Sequence, residues 1–314
     1  NVVDGLNKNT IREKGYFVKM SHTEDRLYRN DGLTNGVLSF TDVSQEAGVI
    51  FGGYGLGVAV SDFNHDGWPD LYIANDFAPN DLMYINQKDG TFKDVAPKLT
   101  KHQSFNGMGC DIADINNDGQ FDIMVMDMLP EDNKRQKTML MGANENLFQS
   151  RIRAGYQPQF MRNTLQLGNG STADGLLPYS EVSQMAGVNK TDWSWAPLMT
   201  DFNNDGLRDI YISNGYVRDM TNLDFISNKK FAMQFGTEKA KFQKLKKLYN
   251  QLEGAYLSNY MYMNEGDLRF SDVTESWGLD EPSFSQGTAF ADFDGDGDLD
   301  LITNNINERA FVIE

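Results

Sequence analysis

The sequence predicts an all-β chain of repeated four-stranded sheets, interrupted by two helical insertions, and three observations predict it. An acidic nonapeptide occurs four times in the 314 residues, as "DFNHDGWPD" (62–70), "DINNDGQFD" (114–122), "DFNNDGLRD" (201–209) and "DFDGDGDLD" (292–300). Each copy stands between two short segments in which small and β-branched residues alternate with polar ones, the pattern of two strands joined by a hairpin. Two more strand-like segments recur between copies, making four strands per unit. The compact unit, from Asp62 to Asp114, is 52 residues long. That is close to the roughly 40 to 50 of a β-propeller blade, so the expected architecture is a calcium-binding β-propeller, with seven blades in the parent protein.

The elements follow in order. Residues 1–25 are a lead-in, and a partial blade is expected over 26–49. Full blades are expected at about 56–97, 107–185 and 194–275, with a partial blade at 285–314. The first strands are "GLGVAVSD", "GMGCDIAD", "SWAPLMTD" and "SQGTAFAD"; the second are "LYIAND", "IMVMDM", "IYISNG" and "LITNNI". The third strand is marked by "LMYINQ", "TLQLGN" and "YMYMNE". The fourth is marked by "FKDVAPKLT", "YSEVSQMAGV" and "FSDVTESWGL", and the partial first unit carries "RLYRND" and "FTDVSQEAGV". Loops two, three and four are more widely spaced, which places insertions at about 128–162 and 215–258. In the second insertion Phe242, Leu245, Leu248, Tyr249 and Leu252 recur at helical spacing. Lys239, Lys241, Lys244, Lys246 and Lys247 occupy the other face as a basic island. Sheet edges must be paired or covered, so either more sequence beyond both ends or pairing of the partial blades is expected.

Composition is that of a folded protein, 40% hydrophobic and 12% aromatic, with a net charge of −17 and a pI near 4.5. Such a balance, without Lys or Arg clusters elsewhere, argues against nucleic acid and anionic membrane as partners. The single cysteine, Cys110, reads as a small buried thiol, and no apolar run reaches the length of a spanning helix. "NVVDGLNKNT" has neither an initiator Met nor a signal-peptide core, so a mature or internal fragment is expected, any lipid anchor lying outside it.

So much like charge in a short loop requires a cation. Positions 1, 3, 5 and 9 supply side-chain oxygen, position 7 a carbonyl, and a glycine at position 6 the sharp turn. The candidate ligands are Asp62, Asn64, Asp66, Trp68 and Asp70; Asp114, Asn116, Asp118, Gln120 and Asp122; Asp201, Asn203, Asp205, Leu207 and Asp209; and Asp292, Asp294, Asp296, Asp298 and Asp300. Five oxygen ligands per loop favour Ca²⁺ over Mg²⁺, giving about four calcium sites. The loops are not EF-hands, because position 12 is Ile73, Val125, Ile212 and Thr303 where a bidentate Glu is required. His22, His65 and His102 show no zinc or iron spacing and read as surface residues.

With its flanking strands, this hairpin resembles the FG-GAP or VCBS repeat of integrin α-subunit propellers and bacterial surface proteins. "GLGVAVSDFNHDGWPDLYIANDFAPNDLMYIN", "MDMLPEDNKRQKT", "MRNTLQLGNG" and "DWSWAPLMTDFNNDGLRDIYISNGYVRD" resemble more closely the bacterial VCBS-repeat proteins related to cartilage acidic protein, associated with the ASPIC/UnbV module. The resemblance implies calcium on the four loops, a seven-bladed propeller, secretion, and a lipoprotein at the outer-membrane surface of Bacteroidota. The ASPIC module itself is not visible, and nothing supports RNA binding.

The leading functional expectation is a non-enzymatic, calcium-stabilised module at the cell surface or outer membrane. It would bind a protein or glycan through its insertions, as part of a larger assembly. Trp193 and Trp195 are considered as a sugar platform, with packing between blades as the other reading. The competing class is a polysaccharide lyase or glycosidase, for which Asp76, Asp127, Glu131 and Asp132 are the carboxylates outside the loops.

Overall fold

The computed structural model describes residues 6–12, 15–18, 24–77, 79–139, 145–172 and 175–314, with the backbone alone at 6–12, 15–18 and Thr34. Most of the 1–25 lead-in, His22 included, lies outside the described side chains, as does 140–144 of the first insertion. The chain forms two compact units, one of Asn1–Val125, Ala143–Phe160 and Thr164–Val182, the other of Met126–Gly142, Met161–Asn163 and Ser183–Glu314.

In the first unit β1 (Leu6–Arg12) pairs with β2 (Gly15–Val18), and β3 (Tyr28–Thr34) with β4 (Val37–Asp42). Then β5 (Gly55–Ser61), β6 (Asp70–Asn75), β7 (Leu82–Asn86) and β8 (Phe92–Asp94) form an antiparallel four-stranded sheet in chain order. A one-turn helix, α1 (Ala96–Leu99), and a short strand, β9 (Gln103–Ser104), lead to β10 (Cys110–Ala113) and β11 (Asp122–Val125). The insertion holds α2 (Asn133–Thr138), which belongs to the second unit, α3 (Glu145–Arg153) and β12 (Gln159–Phe160), parallel to β9. After β13 (Thr164–Leu167), the hairpin β14 (Ser171–Thr172) and β15 (Gly175–Leu176) precedes β16 (Ser180–Glu181), which completes a second sheet in the order β10-β11-β13-β16.

The second unit follows α4 (Ser183–Ala186) with β17 (Ser194–Thr200) and β18 (Asp209–Asn214). The long helices α5 (Leu223–Gln234) and α6 (Glu238–Asn250) precede β19 (Tyr260–Asn264) and β20 (Phe270–Asp272). These four strands make a third four-stranded sheet, and β21 (Ser285–Ala291), β22 (Asp300–Asn305) and β23 (Phe311–Ile313) make a three-stranded one.

Alternation along β6 explains how sheets stack in the first unit. Tyr72 and Ala74 point to one side, where they pack with Ile123 and Val125 of β11; Ile73 points to the other, with Leu82, Tyr84, Ala47 and Val49. A strand buried on both faces lies within a stack of sheets, and each such side chain contributes about 1.5–3 kcal/mol on burial. The second unit repeats the device with Tyr211, Met261 and Leu301, and Tyr211 Oη is 2.8 Å from Thr303 Oγ1.

Two sequence expectations are corrected. The fourth-strand segments leave the sheet after two or three residues and turn into helical or turn structure. The carboxylates of Asp42, Asp94 and Asp272 accept the N–H two residues on, from Ser44 at 3.0 Å, Ala96 at 3.1 Å and Thr274 at 2.9 Å, and so end the strand. The helix of the second insertion ends at Asn250, leaving Leu252 beyond it. None of its side chains is buried, Phe242 being 63% exposed, so its apolar stripe faces outward.

Candidate metal centres

The four acidic loops have one construction. The register pairs Ser61 with Asp70, Ala113 with Asp122, Thr200 with Asp209 and Ala291 with Asp300, so position 9 is always the first residue of the second strand. In the first loop both oxygens of Asp62 accept backbone N–H groups, from Asp66 at 2.9 Å and Gly67 at 2.7 Å. Asn64 Oδ1 accepts the same Asp66 N–H at 3.2 Å, and Asp66 Oδ1 accepts from Trp68 at 3.0 Å. Asp114 and Asp201 repeat this with Asp118 and Gly119, and with Asp205 and Gly206; Asn116 and Asn203 are again second acceptors, and Asp118 and Asp205 accept from Gln120 and Leu207. In the fourth loop Asp292 accepts from Gly295 and Gly297, Asp294 from Asp296, and Asp296 from Asp298.

Inward-turned amides therefore hold the side-chain oxygens of positions 1, 3 and 5 over the turn, carboxylates at 1 and 5 and, in the first three loops, an asparagine amide at 3. The turn needs a left-handed residue twice. Glycine supplies it at position 6, with φ of 85°, 84°, 90° and 100° at Gly67, Gly119, Gly206 and Gly297. At position 4 it falls to His65, Asn117 and Asn204, with φ of 55° to 58°, and to Gly295. Position 4 carries its own signal in the sequence, Asn or Gly in three of the four loops.

Position 9 has a second task. Asp70, fully buried, accepts from Phe63 N–H at 3.0 Å and from Asn86 N–H in the third strand at 2.8 Å. Asp122 joins Ile115 to Gly168, both at 2.8 Å, and Asp209 joins Phe202 to Asn264 at 3.2 and 2.9 Å. Asp300 accepts from Phe293 at 2.7 Å. In the first three loops this carboxylate ties the loop to the end of the third strand. Burial pushes Asp70 and Asp209 up to about 6 and Asp122 to about 7, against the N–H groups that favour the ion, while the carboxylates at positions 1 and 5 add to the rise.

Residues 62–125 and 252–303 match the family described as FG-GAP-like repeat. Those two spans carry FG-GAP-like repeats. The matched spans take in the first, second and fourth loops; the third, outside them, has the same hydrogen-bond pattern. Cartilage acidic protein 1 of Homo sapiens is 38% identical over 95 residues, 29% of this chain and 14% of that protein's length. This chain matches a small part of that relative's length.

The FG-GAP-like loops have the chemistry of a hard-cation site, all-oxygen donors with a net negative charge. In the fourth, oxygens of Asp292, Asp294 and Asp300 lie within 4.8 Å of one another, a span that a cation with ligand distances of about 2.3–2.6 Å can bridge. Position 7 residues Trp68, Gln120, Leu207 and Asp298 stand in the turn with their N–H groups directed to position 5. The first loop has its own counter-charge, Lys88 Nζ at 3.2 Å from Asp66 Oδ2.

The asparagine ending the third strand was read in the sequence only as a strand marker, yet in two repeats it completes the loop. Asn86 and Asn264 give their N–H to position 9, and their side chains donate to the carbonyls of Pro69 and Arg208. A second buried relay recurs at the end of the second strand. Asn75 N–H donates to Asp81, Asp127 N–H to Asn163 and Asn214 N–H to Asn259, at 2.8 to 2.9 Å.

The carboxylates considered free in the sequence are engaged. Asp127 is fully buried and accepts from Met128 and Arg162 N–H, and Asp76 accepts from Asn106 at 2.7 Å. Asp132 caps α2 through Arg135 N–H, and Glu131 accepts from Tyr260 at 3.4 Å. Arg135 reaches Asp192 at 2.7 Å and Asp219 at 3.0 Å beside a cavity of about 490 Å³ that Glu131, Asp132, Asp272 and Asp280 also line.

Trp193 is not an open sugar platform: it is 6% exposed, with Tyr216 stacked on it at 4.4 Å and Trp195 at 6.2 Å. Nor is His102 a plain surface residue, since Nε2 is 2.9 Å from Glu181 and the ring meets Phe160 edge-on; His65 stacks on Phe121. Cys110 is partly buried in β10, and burial pushes its thiol up, away from the reactive thiolate.

Proposed function

We propose that the FG-GAP-like repeats are blades of a β-propeller stabilised by about four calcium ions. It works outside the cytosol as a non-enzymatic binding module and presents its inserted segments to a protein or glycan partner. The observation that carries this is the fourfold loop, whose backbone N–H groups hold side-chain oxygens of positions 1, 3 and 5 over one turn. Apolar strand faces open to solvent, at Leu56, Val58 and Val60 of β5, support further sheets packing in a closed ring. Sites of this kind built from one hairpin each, with extracellular-range affinity, fill where calcium is about millimolar. That supports a secreted or outer-membrane-surface setting. No helix among the described residues is long and apolar enough to cross a membrane.

The test is a thermal melt in 2 mM calcium, in excess chelator and with magnesium, alongside calorimetric counting of sites. Four sites each held at ten times their dissociation constant add about 6 kcal/mol in total, or about 9 °C for a chain of this size. A rise of that order, specific to calcium, supports the reading; equal melting in all three conditions sinks it. The acid-lined cavity beside Arg135 supports a second reading, a polysaccharide lyase or glycosidase. Chain cleavage by the wild type and its loss in Glu131→Gln would establish that alternative.

A further inference from the structure

The helical hairpin of α5 and α6 has a form that stabilisation of the chain does not require. Both helices are capped at their starts, α5 by Asn222, whose side chain accepts from Asp224 and Phe225 N–H, and α6 by Thr237, which accepts from Ala240. Gly236, at φ 119°, makes the reversal between them. Two short helices so well defined would ordinarily bury their apolar stripes. Here α5 buries only Phe225 and Ala232, and α6 buries nothing.

Between them lies an open groove of about 980 Å³, the upper end of the range for binding clefts. Its floor includes Met233, Phe242 and Leu245, and Lys229, Lys230 and Lys246 stand along it. Phe242 is 63% exposed and Met233 41%. Over residues 223–250 there are seven lysines against Asp224 and Glu238, a net charge of +5 in a chain of −17. Only Lys241 among the seven has a carboxylate partner in its own helix, Glu238 at 2.9 Å.

We infer that this groove receives an acidic amphipathic helix of a partner protein. The inference rests on the binding-module reading and names the partner's chemistry. Two or three large apolar side chains of the incoming helix, at i, i+3 or i+4, and i+7, fill the floor, while its flanking carboxylates meet the lysines. Charge complementarity selects this occupant. A bilayer is flat and, if anionic, is repelled by the acidic remainder of the chain; a narrow acidic helix meets the +5 island alone.

The probe is a fluorescein-labelled peptide of about 15 residues with Leu on one helical face and Glu elsewhere, read by anisotropy. Its control is the same peptide with Lys for Glu. The Glu peptide is expected to bind in the micromolar range and to weaken about tenfold from 50 to 500 mM salt, and the Lys peptide is expected not to bind. Lys229→Glu with Lys246→Glu, and separately Phe242→Ser, should each weaken binding about tenfold with the melting temperature and helix content unchanged, since all three side chains are on the surface. The inference is overturned if the Glu peptide does not bind at 200 µM, if these variants leave its binding unaltered, or if the Lys peptide binds as well. Co-sedimentation with vesicles of 30% phosphatidylglycerol in phosphatidylcholine, lost in the lysine variant and without peptide binding, would make the face a membrane contact and overturn it too. The calcium melt is read on the same preparation: peptide binding without a calcium shift overturns the calcium reading alone, and a calcium shift without peptide binding overturns the groove alone.

Discussion

Replacing Asp70 by Ala separates the two tasks of an acidic loop. The carboxylate is fully buried and accepts two backbone N–H groups, from Phe63 and Asn86. Removing it leaves both donors buried and unsatisfied, at about 1–3 kcal/mol each. Release of the carboxylate's own burial penalty, which holds Asp70 near a pKa of about 6, offsets part of this, so about 2–4 kcal/mol remains. Asp66→Ala is the comparison. That carboxylate accepts the exposed Trp68 N–H at 3.0 Å, and its loss costs below about 1 kcal/mol. Urea unfolding at pH 7 in chelator should therefore show Asp70→Ala less stable than Asp66→Ala by about 2–3 kcal/mol. With calcium added, both variants should lose one site's share of the stabilisation, about 1.4 kcal/mol at ten times the dissociation constant. Equal stability of the two variants in chelator would refute the structural role of position 9. Full calcium stabilisation of Asp66→Ala would refute its role as a ligand.

Gly57→Ala places a Cβ 2.9 Å from the backbone of Gly109 and Cys110, which cannot yield cheaply, and should cost about 1–3 kcal/mol; Gly287→Ala, at the same repeat position with open space around it, should change chemical unfolding by less than about 0.5 kcal/mol. Arg135→Met leaves the buried Asp192 without its ion pair and should cost about 3–5 kcal/mol in the same assay, and a loss below about 1 kcal/mol would show the pair to be ornamental. Asp25 has a buried oxygen without a partner, and burial raises it from 3.8 to about 6. An acid raised on folding is most favourable to the folded state below pH 3.8 and loses that contribution as pH rises through about 6. Asp25→Asn should thus stabilise the chain by about 1 kcal/mol at pH 8, after allowance for solvent screening, and by nothing near pH 3.5; destabilisation at pH 8 would contradict this.

The repeat was legible because its chemistry is local. An Asp-rich nonapeptide with glycine at its sixth position specifies a hairpin tip by itself, and period-two alternation on either side specifies the strands. The side-chain oxygens of positions 1, 3 and 5 need nothing more, since the amides they bind lie two to five residues away. Position 9 reads in the sequence as one more ligand, and the structure gives it a second task. Only pairing with the third strand, 16 residues on for Asp70 and 46 for Asp122, made it the buried tie of its sheet. The same distance hid the relay through Asp127 and the stacking of Trp193 on Tyr216. Burial and partnership are set by segments brought together from far along the chain, which no local pattern records. The basic amphipathic helix was likewise evident from spacing. That its apolar face stays open was decided by the way α5 lies beside it, leaving a groove between the two helices where a core would otherwise have formed.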